Sequence, residues 1–150
     1  MNINDFKDQV ALIKADISRE IELAKSGKNA GNFLCALALV EYTKFAGYVY
    51  SQQNRTLYES LFGCNYFNAG FTHLTKTDYK LYNPTTIENM MISTLVYANS
   101  NYKVNIAMLD NDLFKDTNSA ICMKDNVLYF CVERYFNDLI ILFDILEKSI

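Results

Sequence analysis

The sequence predicts a mainly α fold: a four-helix bundle with a small β hairpin or sheet inserted between the third and fourth helices, at about residues 102–131. Three observations carry this expectation. Phe6, Val10, Ile13, Ile17 and Ile21 recur at spacings of four, three, four and four, the period of a helix with one apolar face. The run from Asn32 to Tyr50, NFLCALALVEYTKFAGYVY, is apolar on every side of a helical wheel, which predicts a central helix covered all round. Tyr102, Val104, Ile106 and Met108 instead alternate with Lys103, Asn105 and Ala107 at the period of a strand.

In chain order, Asn4 is placed to cap the first helix, whose outer face carries Lys7, Lys14, Arg19, Glu20 and Glu22. Ser26-Gly27-Lys28-Asn29 supplies the stop and turn. The central helix follows, with Asn32 as its expected cap and Gly47 near its end. Asn54 caps a third helix through RTLYESLFGCNYFNAGFTHLTKTDY, with Leu57, Leu61, Cys64, Gly70 or Phe71, and Leu74 on one face. Gly63 and Gly70 within it each cost about 1 kcal/mol relative to Ala, which points to close packing against a neighbouring backbone. Asn83-Pro84 closes the segment, because the residue before proline is pushed out of the helical region.

The stretch IENMMISTLVYAN fits either a short helix or a strand, and Leu109 to Ser119 reads as a polar loop. AICMK and VLYFCV are two short strands about a tight turn at Asp125-Asn126. The last helix begins near Glu133 and sets Phe136, Leu139 or Ile140, Phe143 and Leu146 on a wide apolar face. No repeat, low-complexity tract or linker interrupts the chain, so a single helical-bundle domain is expected over residues 1–150.

Composition narrows the function classes. A chain of 150 residues can bury roughly two thirds of the surface its unfolded form exposes. Apolar residues make up 51%, yet no run approaches the ~20 needed to cross a bilayer, so no membrane partner is expected. MNINDFKDQV lacks the basic flank and apolar region of a secretory signal, and the cytoplasm is the expected location. The net charge is −3 and the only arginines are Arg19, Arg55 and Arg134. That gives RNA no support as a partner from charge, although a local basic patch is compatible with it. Cys35, Cys64, Cys122 and Cys131 form no CxxC pair and sit among apolar neighbours, the pattern of buried thiols rather than of a disulfide framework or zinc site. Eleven Tyr and ten Phe without Trp point to an aromatic-rich core.

Few residues carry chemistry. Asp110-Asn111-Asp112 resembles the start of a calcium loop but lacks its central Gly and terminal Glu, so it reads as an acidic surface loop. One histidine rules out a multi-histidine metal site within a protomer. No phosphate-binding or nucleophile-elbow motif occurs, and neither metal nor cofactor is expected. His73 remains, because an imidazole exchanges protons near neutral pH; the ordinary alternative is a hydrogen-bonded structural histidine. Asn68 lies five residues before it, a spacing expected to bring both onto neighbouring faces and converge them on one ligand. Glu41, in the middle of the central helix, is costly to bury without a partner.

The segment Asn68-Ala69-Gly70-Phe71-Thr72-His73 resembles the end of the third helix of HEPN-superfamily domains, whose motif is an Arg followed after four to six residues by a His. CALALVEYTKFAG (Cys35 to Gly47), AGFTH (Ala69 to His73) and YFCVERYFND (Tyr129 to Asp138) are similar in order to the elements of small HEPN-like proteins. In active members the Arg and His of two protomers meet at a dimer interface and promote metal-independent attack of a ribose 2′-hydroxyl on the adjacent phosphate. The resemblance implies that His73 is the motif histidine and that Asn68 occupies the arginine position. An amide lacks the permanent charge and bidentate grip of a guanidinium, and Arg55 lies about three turns or more away.

Three readings follow from it. The first is a catalytically degenerate HEPN-like module, a homodimer through its third and fourth helices, that binds a macromolecular partner such as a protein, or a ligand, in microbial defence or counter-defence. The second is an active, metal-independent ribonuclease of toxin type, using His73 and Asn68 with Thr72, Tyr66 or Tyr79 around the phosphate. The third is a structural or interaction bundle unrelated to HEPN domains. In a HEPN-like arrangement the second and third helices pack together, which is expected to bring Glu41 near His73 to orient its ring.

Overall fold

Residues 1–27, 32–53, 65–99, 101–109 and 111–150 are described by the computed structural model. Among them are five α-helices: α1 (Ile3–Lys25), α2 (Asn32–Gln53), α3 (Tyr66–Thr72), α4 (Pro84–Leu95) and α5 (Val132–Glu147). Three strands, β1 (Lys103–Ala107), β2 (Ile121–Lys124) and β3 (Val127–Cys131), lie between α4 and α5. The protein is therefore mainly helical with a small three-stranded sheet toward its C-terminal end.

Helix α1 buries Phe6, Val10, Ile13, Ile17 and Ile21, the five positions its period marks. Its cap is Asn2, not Asn4: the Asn2 side chain accepts from the Asn4 N–H at 2.7 Å, so Asn4 already belongs to the first turn. Helix α2 runs on past Gly47 to Gln53, and it touches α1, α3, α4, α5 and β1. That makes it the central element, but it is not covered all round. Leu34, Glu41 and Tyr48 are exposed; a spacing of seven is two turns, so they form one open stripe, with Phe33 beside it. Asn32, expected as the cap, is the first helical residue, and its Oδ1 is buried without a hydrogen-bond partner among the described residues.

The long third helix of the sequence reading is shorter in its described part. Asn65 caps α3, its side chain accepting from the Asn68 N–H at 3.1 Å, and the helix ends at Thr72. A 3₁₀ segment, Thr77–Leu81, follows. Asn54, Arg55, Leu57, Leu61, Gly63 and Cys64 lie outside the described residues. The Asn83-Pro84 pair ends that segment and also opens α4. Asn83 is extended, as a residue before proline should be, and its side chain accepts from the Thr86 N–H at 3.2 Å. The ambiguous stretch after it is thus helical, with Ile87, Met90 and Met91 buried at helical spacing.

The sheet order is β1-β3-β2: β1 runs parallel to β3, from Lys103↔Val127 to Ala107↔Cys131, and β2 runs antiparallel to β3. Asp125 and Asn126 have φ of 52° and 62°, the left-handed pair that a two-residue hairpin needs. The connection Leu109 to Ser119 is not simply a polar loop. It contains a 3₁₀ turn, Asp112–Phe114, whose Phe114 is completely buried; Asp110 lies outside the described residues. Helix α5 starts at Val132 and buries Leu139, Leu142, Phe143 and Leu146, and also Glu133, Tyr135 and Asp138. No helix of the described residues is long and apolar enough to cross a membrane.

Candidate functional site

The position of His73 follows from how α3 sits on α2. A Cβ at Gly70 would lie 2.0 Å from the Thr43 carbonyl oxygen, and one at Gly47 would lie 1.9 Å from the Tyr66 carbonyl oxygen. Only a glycine on each side lets the two backbones come this close, and the contact delivers the end of α3 to the end of the described part of α2. His73 is the C-cap of α3, half-buried, with its ring against Tyr50 at 3.6 Å between centroids and 37° between planes. Its Nδ1 lies 2.6 Å from the Ala69 carbonyl oxygen. A carbonyl only accepts, so Nδ1 carries the proton and the neutral ring keeps a lone pair on Nε2.

His73 lines a cleft of about 410 Å³. Tyr50 and Gln53 of α2 form one wall, Leu142, Ile145 and Leu146 of α5 the other, and Thr75 and Ser149 stand at its rim. The polar groups there are tied to one another: Gln53 Nε2 donates to the Leu146 carbonyl at 3.4 Å, and the Ser149 hydroxyl reaches that carbonyl at 3.0 Å and Gln53 Oε1 at 3.2 Å. The arrangement is an apolar slot with acceptors at one end, and its volume is in the range of small-molecule sites.

The other residues singled out in the sequence go elsewhere. Five residues of helix rotate a side chain by about 140°, so Asn68 does not share the face of His73. Its Nδ2 donates instead to Thr85 Oγ1 of α4 at 3.0 Å. Thr72 is exposed, donates to the Asn68 carbonyl at 2.6 Å, and with Phe71, Tyr79 and Tyr82 lines a separate pocket of about 290 Å³. Tyr66 stands edge-on to Tyr48, 5.6 Å between centroids. Tyr79 is buried, and its hydroxyl donates to Asp138 Oδ2 at 2.7 Å; burial first, then the Asp138 charge, pushes the phenol far above its ordinary 10.0.

Glu41 is neither buried nor near His73. It lies on the open stripe of α2, its side chain 56% exposed, and Lys44 Nζ donates to it at 2.9 Å. That hydrogen bond raises the Lys44 ammonium above 10.5, with smaller help from Glu88. The expectation that Glu41 orients the imidazole is thereby removed, because an exposed carboxylate satisfied by a neighbour one turn away has no buried charge to settle.

The carboxylates that do need partners are on α5. Asp138, 1% exposed, takes Tyr79 on Oδ2 and Lys76 Nζ on Oδ1 at 3.0 Å. Glu133 takes Lys25 Nζ at 2.9 Å and the Leu109 N–H at 3.0 Å. Beside them Arg134 donates through Nη1 to the Thr117 and Ser119 carbonyls and through Nη2 to that of Phe114, with its guanidinium 5.9 Å from the Phe114 ring centre. This arginine is consumed by the fold. Sequence reasoning missed Tyr50, Gln53 and Ser149 as companions of His73; the available signal was three polar-tipped residues at the ends of two otherwise apolar helices.

Among the described residues no group of three or more His, Cys, Asp or Glu could hold a metal ion. Cys35 and Cys131 are buried free thiols and Cys122 is half-buried, while Cys64 lies outside the described residues. Compared with known proteins, the chain matches no family model, no curated protein and no solved structure.

Proposed function

We propose that this protein is a catalytically degenerate HEPN-like module, homodimeric, that binds a ligand or a macromolecular partner at the cleft around His73, in a microbial defence or counter-defence setting. In this reading α3 is the motif-bearing helix of a HEPN-like four-helix bundle, and α4 with the sheet is an insertion before the closing helix α5. The observation that carries the reading is the separation of His73 from Asn68. The imidazole lines a cleft while the residue in the arginine position is hydrogen-bonded to Thr85 on another face. Phosphoryl-transfer chemistry needs a cation held at the developing charge, and the residues lining the cleft include no Lys or Arg.

The test is an RNA-cleavage assay in metal-free buffer, run alongside sedimentation. Expected are a dimer, no cleavage by the native protein, and no change on His73→Ala. Cleavage that His73→Ala abolishes would overturn the degenerate reading and establish the ribonuclease one. A monomer at all concentrations would remove the shared interface that the HEPN-like assignment requires.

A further inference from the structure

We infer that the His73 cleft selects an amphipathic amine: a molecule with an apolar body and a single ammonium or N–H donor. This deepens the binding reading above and rests on it. The walls, Tyr50, Leu142, Ile145 and Leu146, favour an apolar body. The polar end is made of acceptors. His73 has its Nδ1 proton committed to Ala69, which leaves the Nε2 lone pair, and the Ser149 proton is committed to Leu146 or Gln53.

The backbone adds the same sign of charge. Helix α5, 16 residues long, ends at Glu147 beside the cleft, so its unpaired carbonyls place partial negative charge there. The shorter α3 ends at the same place, with His73 as its cap. Lys148, at the end of α5, lies along a different groove with Lys7, Asp144 and Glu147 and does not line this one. An anion would enter a site of acceptors and helix C-termini without a cation to meet it, whereas an ammonium would satisfy the acceptors and complement the helix end.

The chain contains one histidine, so its imidazole nitrogens are a single, assigned reporter of the cleft in a nitrogen-detected spectrum. The experiment titrates the full protein, in mildly alkaline buffer, with phenethylamine and, separately, with phenylpropionate, a carboxylate of similar shape. Phenethylamine is expected to shift Nε2 saturably, with Nδ1 little changed, and to bind on the order of tenfold tighter than the carboxylate. Ser149→Lys, an exposed change that puts a cation at the rim, should weaken the amine by a similar factor and leave the circular dichroism unchanged. Equal or tighter binding of the carboxylate, no saturable shift with either probe, or an indifferent Ser149→Lys variant would overturn the inference. None of those results touches the proposed module, which fails on RNA cleavage instead.

Discussion

Asp138 lies in the middle of the core with both oxygens occupied, one by the Tyr79 hydroxyl and one by Lys76. A buried carboxylate that loses one of two donors keeps its desolvation cost and forfeits a charge-assisted bond, which is worth about 2 kcal/mol. Tyr79→Phe should therefore destabilise the protein by ~2 kcal/mol in urea unfolding, although it removes a single oxygen. Glu41→Gln is the contrasting case: an exposed pair with Lys44 is worth about 0.5 kcal/mol or less, so that midpoint should barely move. Sequence reasoning chose the wrong carboxylate, and the reason is physical. Glu41 sits in the more apolar stretch, but on the one stripe of α2 that no neighbour covers; Asp138 sits on a helix with a recognisable polar side, yet points to the core. Hydropathy along a chain reports how apolar a segment is, not which direction its tertiary partners leave open.

At the scale of elements, the site depends on a crossing and a strap. The α2–α3 crossing requires the Gly47 and Gly70 pair, because a Cβ on either would sit about 2 Å from a backbone oxygen. Gly70→Ala must push the helices apart, and a loss of ~3 kcal/mol is expected from chemical unfolding, together with broadening of the His73 resonances as its seat on Tyr50 loosens. The strap is the connection from β1 to β2, held through three carbonyls by Arg134. A lysine ammonium cannot span that fork, so Arg134→Lys should speed amide exchange across residues 111–119 by about tenfold or more while the helices of the bundle keep their protection. Gly70 was legible as a close-packing residue, since a glycine tolerated in a helical pattern needs a reason. Arg134 was not, because a carbonyl cage built from a loop has no sequence period.

For the molecule as a whole, the helix-period and strand-period segments were legible because amphipathic burial writes itself into spacing: α1, the three-stranded sheet and the closing helix lie close to where the pattern puts them. The cleft was not, because it exists only where α2, α3 and α5 end together. The same burial that fills this core gives the protein a definite response to alkali. Burial pushes the Cys35 thiol up from 9.0 to about 12, and pushes the Tyr79 and Tyr135 phenols above 10.0. A raised acid keeps its proton in the folded state at a pH where the unfolded chain has lost it, so its contribution is complete below the ordinary value and is lost as pH rises. Each such group removes at most about 1.4 kcal/mol per pH unit, so the three together remove about 4 kcal/mol per unit, against a total stability of roughly 5–15 kcal/mol. Stability should be level up to pH 9, where the Cys35 window opens, and then fall steeply above 10 as both tyrosines join. Tyrosinate absorbance and helical circular dichroism, followed together, should show a shared step in that interval, because Tyr79 and Tyr135 ionise only as the core opens. Cys35→Ala should move the onset from about 9 toward 10, and a native protein that loses helix below 9 would show that some other group sets the limit.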